Sequence, residues 1–276
     1  MDFLSSAERP SPLANQIACK TRDLDWTLAH FTFVANVTTL AAVCDIAHSP
    51  AMSVASCRSL PQLGLAFVGD SADLLATYAA FLADPGSEVS LLVNEEQRAV
   101  VEAAFEVASV VSCWQMLYRG DPGDLPSSEA SELVENDADA AYALARTEGL
   151  SLNLVSAEPF AHGPAYGVWE RGSGLHTRRL IAMGTTTVCV SNVAQIDNVI
   201  TRREFRRRGY GTAIVVALLR AHLASGRSVF AVVSQDNGGG VALFEKLGFS
   251  RERPMYSMSC VLRLPLERAA TPQAVA

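Results

Sequence analysis

Lysine is almost missing from this chain: Lys20 and Lys246 are the only two, so arginine carries nearly all of the positive charge. No cysteines stand at the two-residue spacing of a zinc or redox site, and Cys19, Cys44, Cys57, Cys113, Cys189 and Cys260 are scattered. Such scatter predicts reduced, mostly buried thiols in a cytosol-like compartment, with neither a disulfide frame nor a bound metal. No apolar run reaches the roughly 18 to 20 residues that a bilayer requires, so no membrane association is expected. The opening MDFLSSAERPSP lacks a basic flank followed by an apolar stretch. It predicts no secretory signal and a cytoplasmic location. Gly-Lys-Ser and Gly-Lys-Thr are absent, which excludes a Walker loop. A broad basic face interleaved with aromatics is missing too, and with it the signature of a nucleic-acid surface.

What is present fills 276 residues, 49% of them apolar, a length and composition that suit two domains of ordinary size. Charge divides unevenly between them. Residues 1–130 hold 16 acids and 6 bases, whereas residues 131–276 hold 13 acids and 16 bases. An acidic first half and a basic second half fit a small polyanionic ligand bound by the second.

Residues 1–22 read as a loose lead-in, and Leu24 to Ala47 is apolar enough for helix. A clearer rhythm follows. Leu63–Val68 reads as a buried strand, Ala72–Leu82 as a helix, Glu88–Val93 as a strand, Asn94 as the cap of a helix to about Val107, and Ala108–Leu117 as a further strand. The alternation predicts an α/β unit over residues 23–119. Residues 120–130 concentrate Gly, Pro, Ser and Asp and read as a linker. Beyond it, residues 131–263 predict strands at 131–135, 164–170, 178–190, 193–201, 228–233 and 255–262. Helices are expected at 138–147, 209–224 and 238–247, with an irregular stretch over 149–163. Residues 264–276 read as a disordered tail.

The most informative segment runs from Gln195 to Thr212. A strand rich in β-branched residues enters a basic, glycine-containing loop, and the loop opens a helix with Ile214, Val215, Leu218, Leu219 and Leu223 on its apolar faces. The first amides of a helix lack intrahelical partners and carry partial positive charge, so they attract phosphate. Gly209 and Gly211 admit backbone to a ligand without an intervening Cβ. Arg206, Arg207 and Arg208 add positive charge. A solvated arginine-rich turn before a core helix is the plainer reading of the same residues.

The pattern V-x-T-x-x-x-F-R-x-R-G-Y-G-T resembles the coenzyme A loop of the GNAT acetyltransferase superfamily, with its signature falling on Arg206, Gly209 and Gly211. Downstream, VVSQDN ending at Asn237 and ALFEKLGF ending at Phe249 resemble the second family signature. The resemblance covers 131–262. It implies a mixed central sheet with flanking helices, a GNAT-like fold in the carboxy-terminal half and a degenerate related α/β domain in the amino-terminal half. It further implies acetyl-CoA or another acyl-CoA as co-substrate, an amine acceptor, direct acyl transfer without a covalent enzyme intermediate, no metal, and a possible homodimer.

By the same resemblance, the strands at 193–201 and 228–233 splay apart around the pantetheine arm. Val199 and Thr201 are then its backbone partners, and the amide near Val199 is the oxyanion donor. Arg206, Arg207, Arg208, Gly209, Tyr210, Gly211, Thr212, Asn237 and Phe244 are expected to complete the cofactor site. The usual Glu and Tyr of the family fall on Gln195 and Phe244, neither of which exchanges protons. Asp197, on the same strand face as Gln195, and Tyr256 are the substitute catalytic candidates, with Ser234 and His162 behind them. Transfer through ordered water stays open, as does a CoA-binding sensor or an inactive partner subunit. Glu158, Phe160 and His162 are expected near the acceptor.

Overall fold

The computed structural model describes residues 2–4, 44–48, 53–57, 63–82, 86–150, 160, 163–171, 178–190 and 193–262. In chain order its strands begin with β1 (Asp2–Leu4), β2 (Cys44–His48), β3 (Ser53–Cys57) and β4 (Leu63–Val68). Helix α1 (Ala72–Leu82), β5 (Glu88–Val93), α2 (Glu95–Ala104) and β6 (Glu106–Tyr118) follow. After the linker come β7 (Ser131–Glu132), α3 (Ala138–Thr147), β8 (Tyr166–Arg171), β9 (Arg178–Val190) and β10 (Val193–Thr201). The last elements are α4 (Tyr210–Leu223), β11 (Ser228–Ser234), α5 (Gly238–Lys246) and β12 (Phe249–Val261).

The twelve strands among the described residues join one mixed sheet in the order β1-β2-β3-β4-β5-β12-β6-β11-β10-β9-β8-β7. Two neighbouring pairs, β4 with β5 and β10 with β11, are parallel. The strand before the linker is held on both sides by strands that come after it: β6 pairs β11 through residues 113–117 and β12 through residues 106–118. Strand β12 in turn pairs β5 through Tyr256–Val261. The two largest cores lie under α4 and α5 and under α1 and α2, with β12 contributing Phe249 to the first and Met258 and Cys260 to the second; a smaller one lies beneath α3.

Helix α4 lies on the carboxy-terminal sheet because its apolar residues surround it almost completely. Ile214, Val215, Val216, Leu218 and Leu219 are all fully buried. Gly184 on β9 lets the helix approach, since a Cβ there would stand 2.5 Å from Ile214 Cγ2 and 3.1 Å from Leu218 Cδ1. His222 is buried in the last turn of α4 as well, with Nε2 2.8 Å from Thr186 Oγ1.

Several expectations need correction. The helix expected over Leu24–Ala47 fails at its end, where 44–47 belong to strand β2; residues 24–43 lie outside the described residues. The lead-in contains a strand at Asp2–Leu4. Helix α2 stops at Ala104, because Phe105 is already extended, and β6 starts at Glu106. The strand at 131–135 shrinks to Ser131–Glu132, followed by a 3-10 turn at Glu135–Asp137 that Asp137 closes by accepting the Val134 N–H. Strand β12 begins at Phe249, six residues earlier than 255, and passes Pro254 by a register shift between Arg251 and Arg253. The expected tail, Glu158 and His162 lie outside the described residues.

Candidate functional site

Strands β10 and β11 pair only from Val193–Ile196 against Ser228–Ala231. Beyond that point β10 continues to Thr201 beside β9, and β11 continues to Ser234 beside β6, so the two part. Two contiguous clefts occupy the opening. The outer, about 730 Å³, is lined by Val199, Thr201, Arg206, Arg207 and residues 209–212, with Asn237, Gly239 and Gly240 opposite. The inner, about 370 Å³, is lined by Asp197, Val199, Ser234, Asn237 and Phe244. Leu150, Val199, Ile200, Asn237, Gly240 and Leu243 border both.

Each wall follows from local sequence. Gly209 is the residue before α4 and has φ +88, a left-handed conformation that a side chain disfavours. A Cβ built there meets nothing within 4 Å, and the residue lines the cleft, so the helix start is bare backbone. Gly211 is needed for packing: its Cβ would lie 3.2 Å from Leu243 Cδ2. Arg207 is also left-handed, at φ 64, a strain of about 1 kcal/mol or more for a residue with a Cβ. Across the opening, Asn237 caps α5 by accepting the Gly240 N–H at 2.9 Å, and a Cβ on Gly240 would collide with that cap. The cleft is therefore flanked by two helix starts, each carrying partial positive charge. Arg206, Arg207 and Lys246 add full charges along the outer wall.

Arg206 is fixed rather than loose. Its Nε donates to the Thr201 carbonyl at 3.0 Å, and its terminal amino group donates to Glu148 Oε2 at 2.6 Å. Arg208 differs from its neighbours: its guanidinium packs over the Phe205 ring at 5.2 Å, and it is not among the residues lining either cleft.

The inner cleft is shaped by a bulge. The register of β10 with β9 runs from Asp197 opposite Thr185 to Ile200 opposite Met183, passing over Asn198 and Val199. Asn198 has φ 49. Its N–H is accepted by Asp197 Oδ1 at 2.7 Å, and its amide group donates to Thr185 Oγ1 at 2.9 Å. Asp197 Oδ2 receives a longer bond, 3.4 Å, from Gln195 Nε2. Asp197 thus faces the inner cleft with its carboxylate oriented by its neighbours. It also lies close enough to Cys113 that its charge, added to burial, pushes that thiol up from its ordinary pKa. Phe244 is buried against Phe249, ring edge to face, with centroids 4.9 Å apart.

Tyr256 is not brought to this place. Its hydroxyl donates to Glu95, Arg98 stacks on its ring at 4.7 Å, and neither cleft includes it. The cause is the position of β12, which lies two strands away from β11 with β6 between them. The catalytic expectation for Tyr256 is withdrawn. Among the secondary candidates, Ser234 lines the inner cleft and Phe160 packs with the core beneath α3. Sequence reasoning missed Leu150, Phe205, Lys246 and Glu148. Lys246 sat in a recognised motif and could have been found there, whereas Glu148 is 58 residues from Arg206 and carries no local signal.

Comparison with known proteins bears on the fold. The family model described as FR47-like protein matches residues 173–257. A search of curated proteins finds no match. Among solved structures, a putative acetyltransferase of the GNAT family from Novosphingobium aromaticivorans aligns with a TM-score of 0.59 at 21% identity, covering 78% of this chain and 90% of that one. A GCN5-related N-acetyltransferase-like protein from Streptococcus suis aligns with a TM-score of 0.59 at 18% identity, over 89% of this chain and 98% of its own. A tandem GNAT protein from the clavulanic acid biosynthesis pathway aligns with a TM-score of 0.62 at 14% identity, over 96% and 99%. In fold this chain is similar to these GNAT acetyltransferase structures, and its residues 173–257 match the family model described as FR47-like protein.

Proposed function

We propose that the protein is an acyl-CoA-dependent N-acyltransferase, most readily an N-acetyltransferase, that passes the acyl group directly from the thioester to an amine. The observation that carries this reading is the opening between β10 and β11 with the bare α4 start at its mouth. A pyrophosphate fits the residues there: Gly209 adds no side chain, no side chain caps the α4 start, and Arg206 and Arg207 supply charge. The Val199 backbone and the Thr201 N–H, beyond the last β10–β11 pair, are assigned to an extended pantetheine arm, the Thr201 carbonyl being held by Arg206. Asn237, Phe244 and Tyr210 are assigned as further walls of that site, and Thr212 as part of the helix start.

Transfer requires an amine freed of its extra proton, a donor for the developing oxyanion, and a proton for the departing thiolate. We assign the Val199 amide as oxyanion donor, at the bulge where the β9 register is interrupted. We assign Asp197 as the proton acceptor, because it lines the inner cleft and is held in orientation. Phe244 offers no hydroxyl, so the thiolate takes its proton from water. Its reference pKa of about 8.5 makes it a tolerable leaving group without an acid at mildly basic pH.

The test is thiol release by the purified protein with acetyl-CoA, propionyl-CoA and a longer acyl-CoA against a panel of amines. Amine-dependent release with the acylated amine as product is expected. Tight CoA binding with no amine turned over would instead make the chain a binding module.

A further inference from the structure

Helix α3 ends in a closed turn. Gly149, at φ +68, donates to the Arg146 carbonyl at 3.1 Å, and Leu150 donates to the Ala145 carbonyl at 2.9 Å. This double bond pattern is the Schellman motif, and it fixes residues 148–150 in one geometry. The two side chains that flank Gly149 take different places. Leu150 borders both clefts while still 49% exposed. Glu148 goes the other way: its side chain is only 6% exposed.

A carboxylate at a helix carboxy-terminus faces the negative end of the helix dipole, so its position needs compensation from elsewhere. Glu148 obtains it from the phosphate loop. Oε1 accepts the Arg203 N–H at 3.1 Å, and Oε2 accepts from the Arg206 guanidinium at 2.6 Å. Arg206 is bound at the same time to the Thr201 carbonyl, the last residue of β10. One guanidinium therefore ties together the end of α3, the end of β10 and the loop. The next residue, Arg207, carries the strained left-handed turn into Gly209.

We propose that Glu148 is a positioning residue for the phosphate-binding loop, holding Arg206 and the Arg203 amide in the arrangement that receives a pyrophosphate. The proposal rests on the acyl-CoA reading given above. Glu148 acts through Arg206 and touches no ligand itself. A guanidinium carries several N–H donors, and the bonds to Thr201 and Glu148 use only part of the set. The remaining donors stay on the cleft wall, already oriented, so the ordering cost is met before the ligand arrives.

Binding of CoA and of pantetheine, which lacks the nucleotide pyrophosphate, is measured by calorimetry on the intact chain. The variants are Glu148→Ala, Glu148→Gln, Arg206→Ala and the Glu148→Gln/Arg206→Ala double. Glu148→Ala is expected to weaken CoA about tenfold, since it removes a charge-assisted bond and the anchor of a loop amide. Glu148→Gln keeps an acceptor for Arg203 and loses about threefold by the same arithmetic. Pantetheine binding should be unchanged in both. In the Arg206→Ala background, Glu148→Gln should have no further effect on CoA, because the two side chains act as one unit. Glu148→Gln alone carries the test if Glu148→Ala does not fold. Equal losses for CoA and pantetheine would reduce Glu148 to general support of the fold and overturn the proposal. Tighter CoA binding by Glu148→Gln would also overturn it, making Glu148 a competitor for Arg206. Wild-type protein that binds no CoA defeats the acyl-CoA reading itself. Wild-type binding with unaltered variants defeats only the role of Glu148.

Discussion

Acidification should destabilise the protein through His222. The side chain is fully buried in α4. The Thr186 hydroxyl donates to the Pro164 carbonyl at 2.7 Å, so it must accept from His222, which places the ring proton on Nε2. Nδ1 has no partner. Protonation would create a buried N–H⁺ at Nδ1 with no acceptor among the described residues. Burial first, and the nearby positive charge of Arg227 second, pull the pKa from 6.5 down to about 4. The unfolded chain therefore binds a proton between these values that the native chain refuses, and stability falls as pH drops from 6.5 toward 4. At about 1.4 kcal/mol per unit, the full loss is on the order of 3 kcal/mol below the native pKa, of which about 2 kcal/mol is already gone at pH 5. Denaturant unfolding of the wild type and of His222→Gln at pH 7, 6 and 5 measures the difference. Gln keeps a donor for Thr186 but does not titrate, so the gap between the two proteins should close or reverse by ~2 kcal/mol over that range. Parallel losses in both proteins would show that His222 is protonated in the native state and refute the argument.

Asp197→Asn should lower turnover about a hundredfold at pH 7 and much less at pH 10, where the amine needs no base; an unchanged pH profile in a folded variant would assign the proton to water. Gly184→Ala should cost about 1–3 kcal/mol in denaturant unfolding, because its Cβ would stand 2.5 Å from Ile214 Cγ2 in a well-packed core. A loss below a few tenths of a kcal/mol would mean that α4 can lift from β9 freely.

The parts of the fold carried by local pattern were legible before the structure. Leu63–Val68, Ala72–Leu82, Glu88–Val93, Ala138–Thr147, Arg178–Val190 and Val193–Thr201 all have the bounds expected from apolar periodicity and capping residues. The loop at 206–212 was legible too, because glycine and arginine at a helix start have a local physical meaning. Strand partners were not, apart from β10 beside β11, which the resemblance implied. Nothing in the alternation of Glu106–Tyr118 says that it lies between β11 and β12, and this order alone removes Tyr256 from the cleft. The start of β12 was not legible either: it pairs β6 from Phe249 through Pro254, while β5 joins it only from Tyr256, so Pro254 has a strand neighbour on one side alone. Side-chain bonds between distant residues were equally hidden: Glu148 with Arg206 and Thr186 with His222 are joined only by the fold.

The central claim is that the opening between β10 and β11 holds one acyl-CoA with its phosphates on the α4 start, and calorimetric titration of acetyl-CoA tests it most directly. The account predicts one site per chain for the wild type. For a folded Gly209→Val, whose side chain would project from bare backbone into the cleft, it predicts affinity at least about tenfold weaker, near 1.4 kcal/mol. Two equal sites, no binding, or the same affinity in both proteins would contradict it.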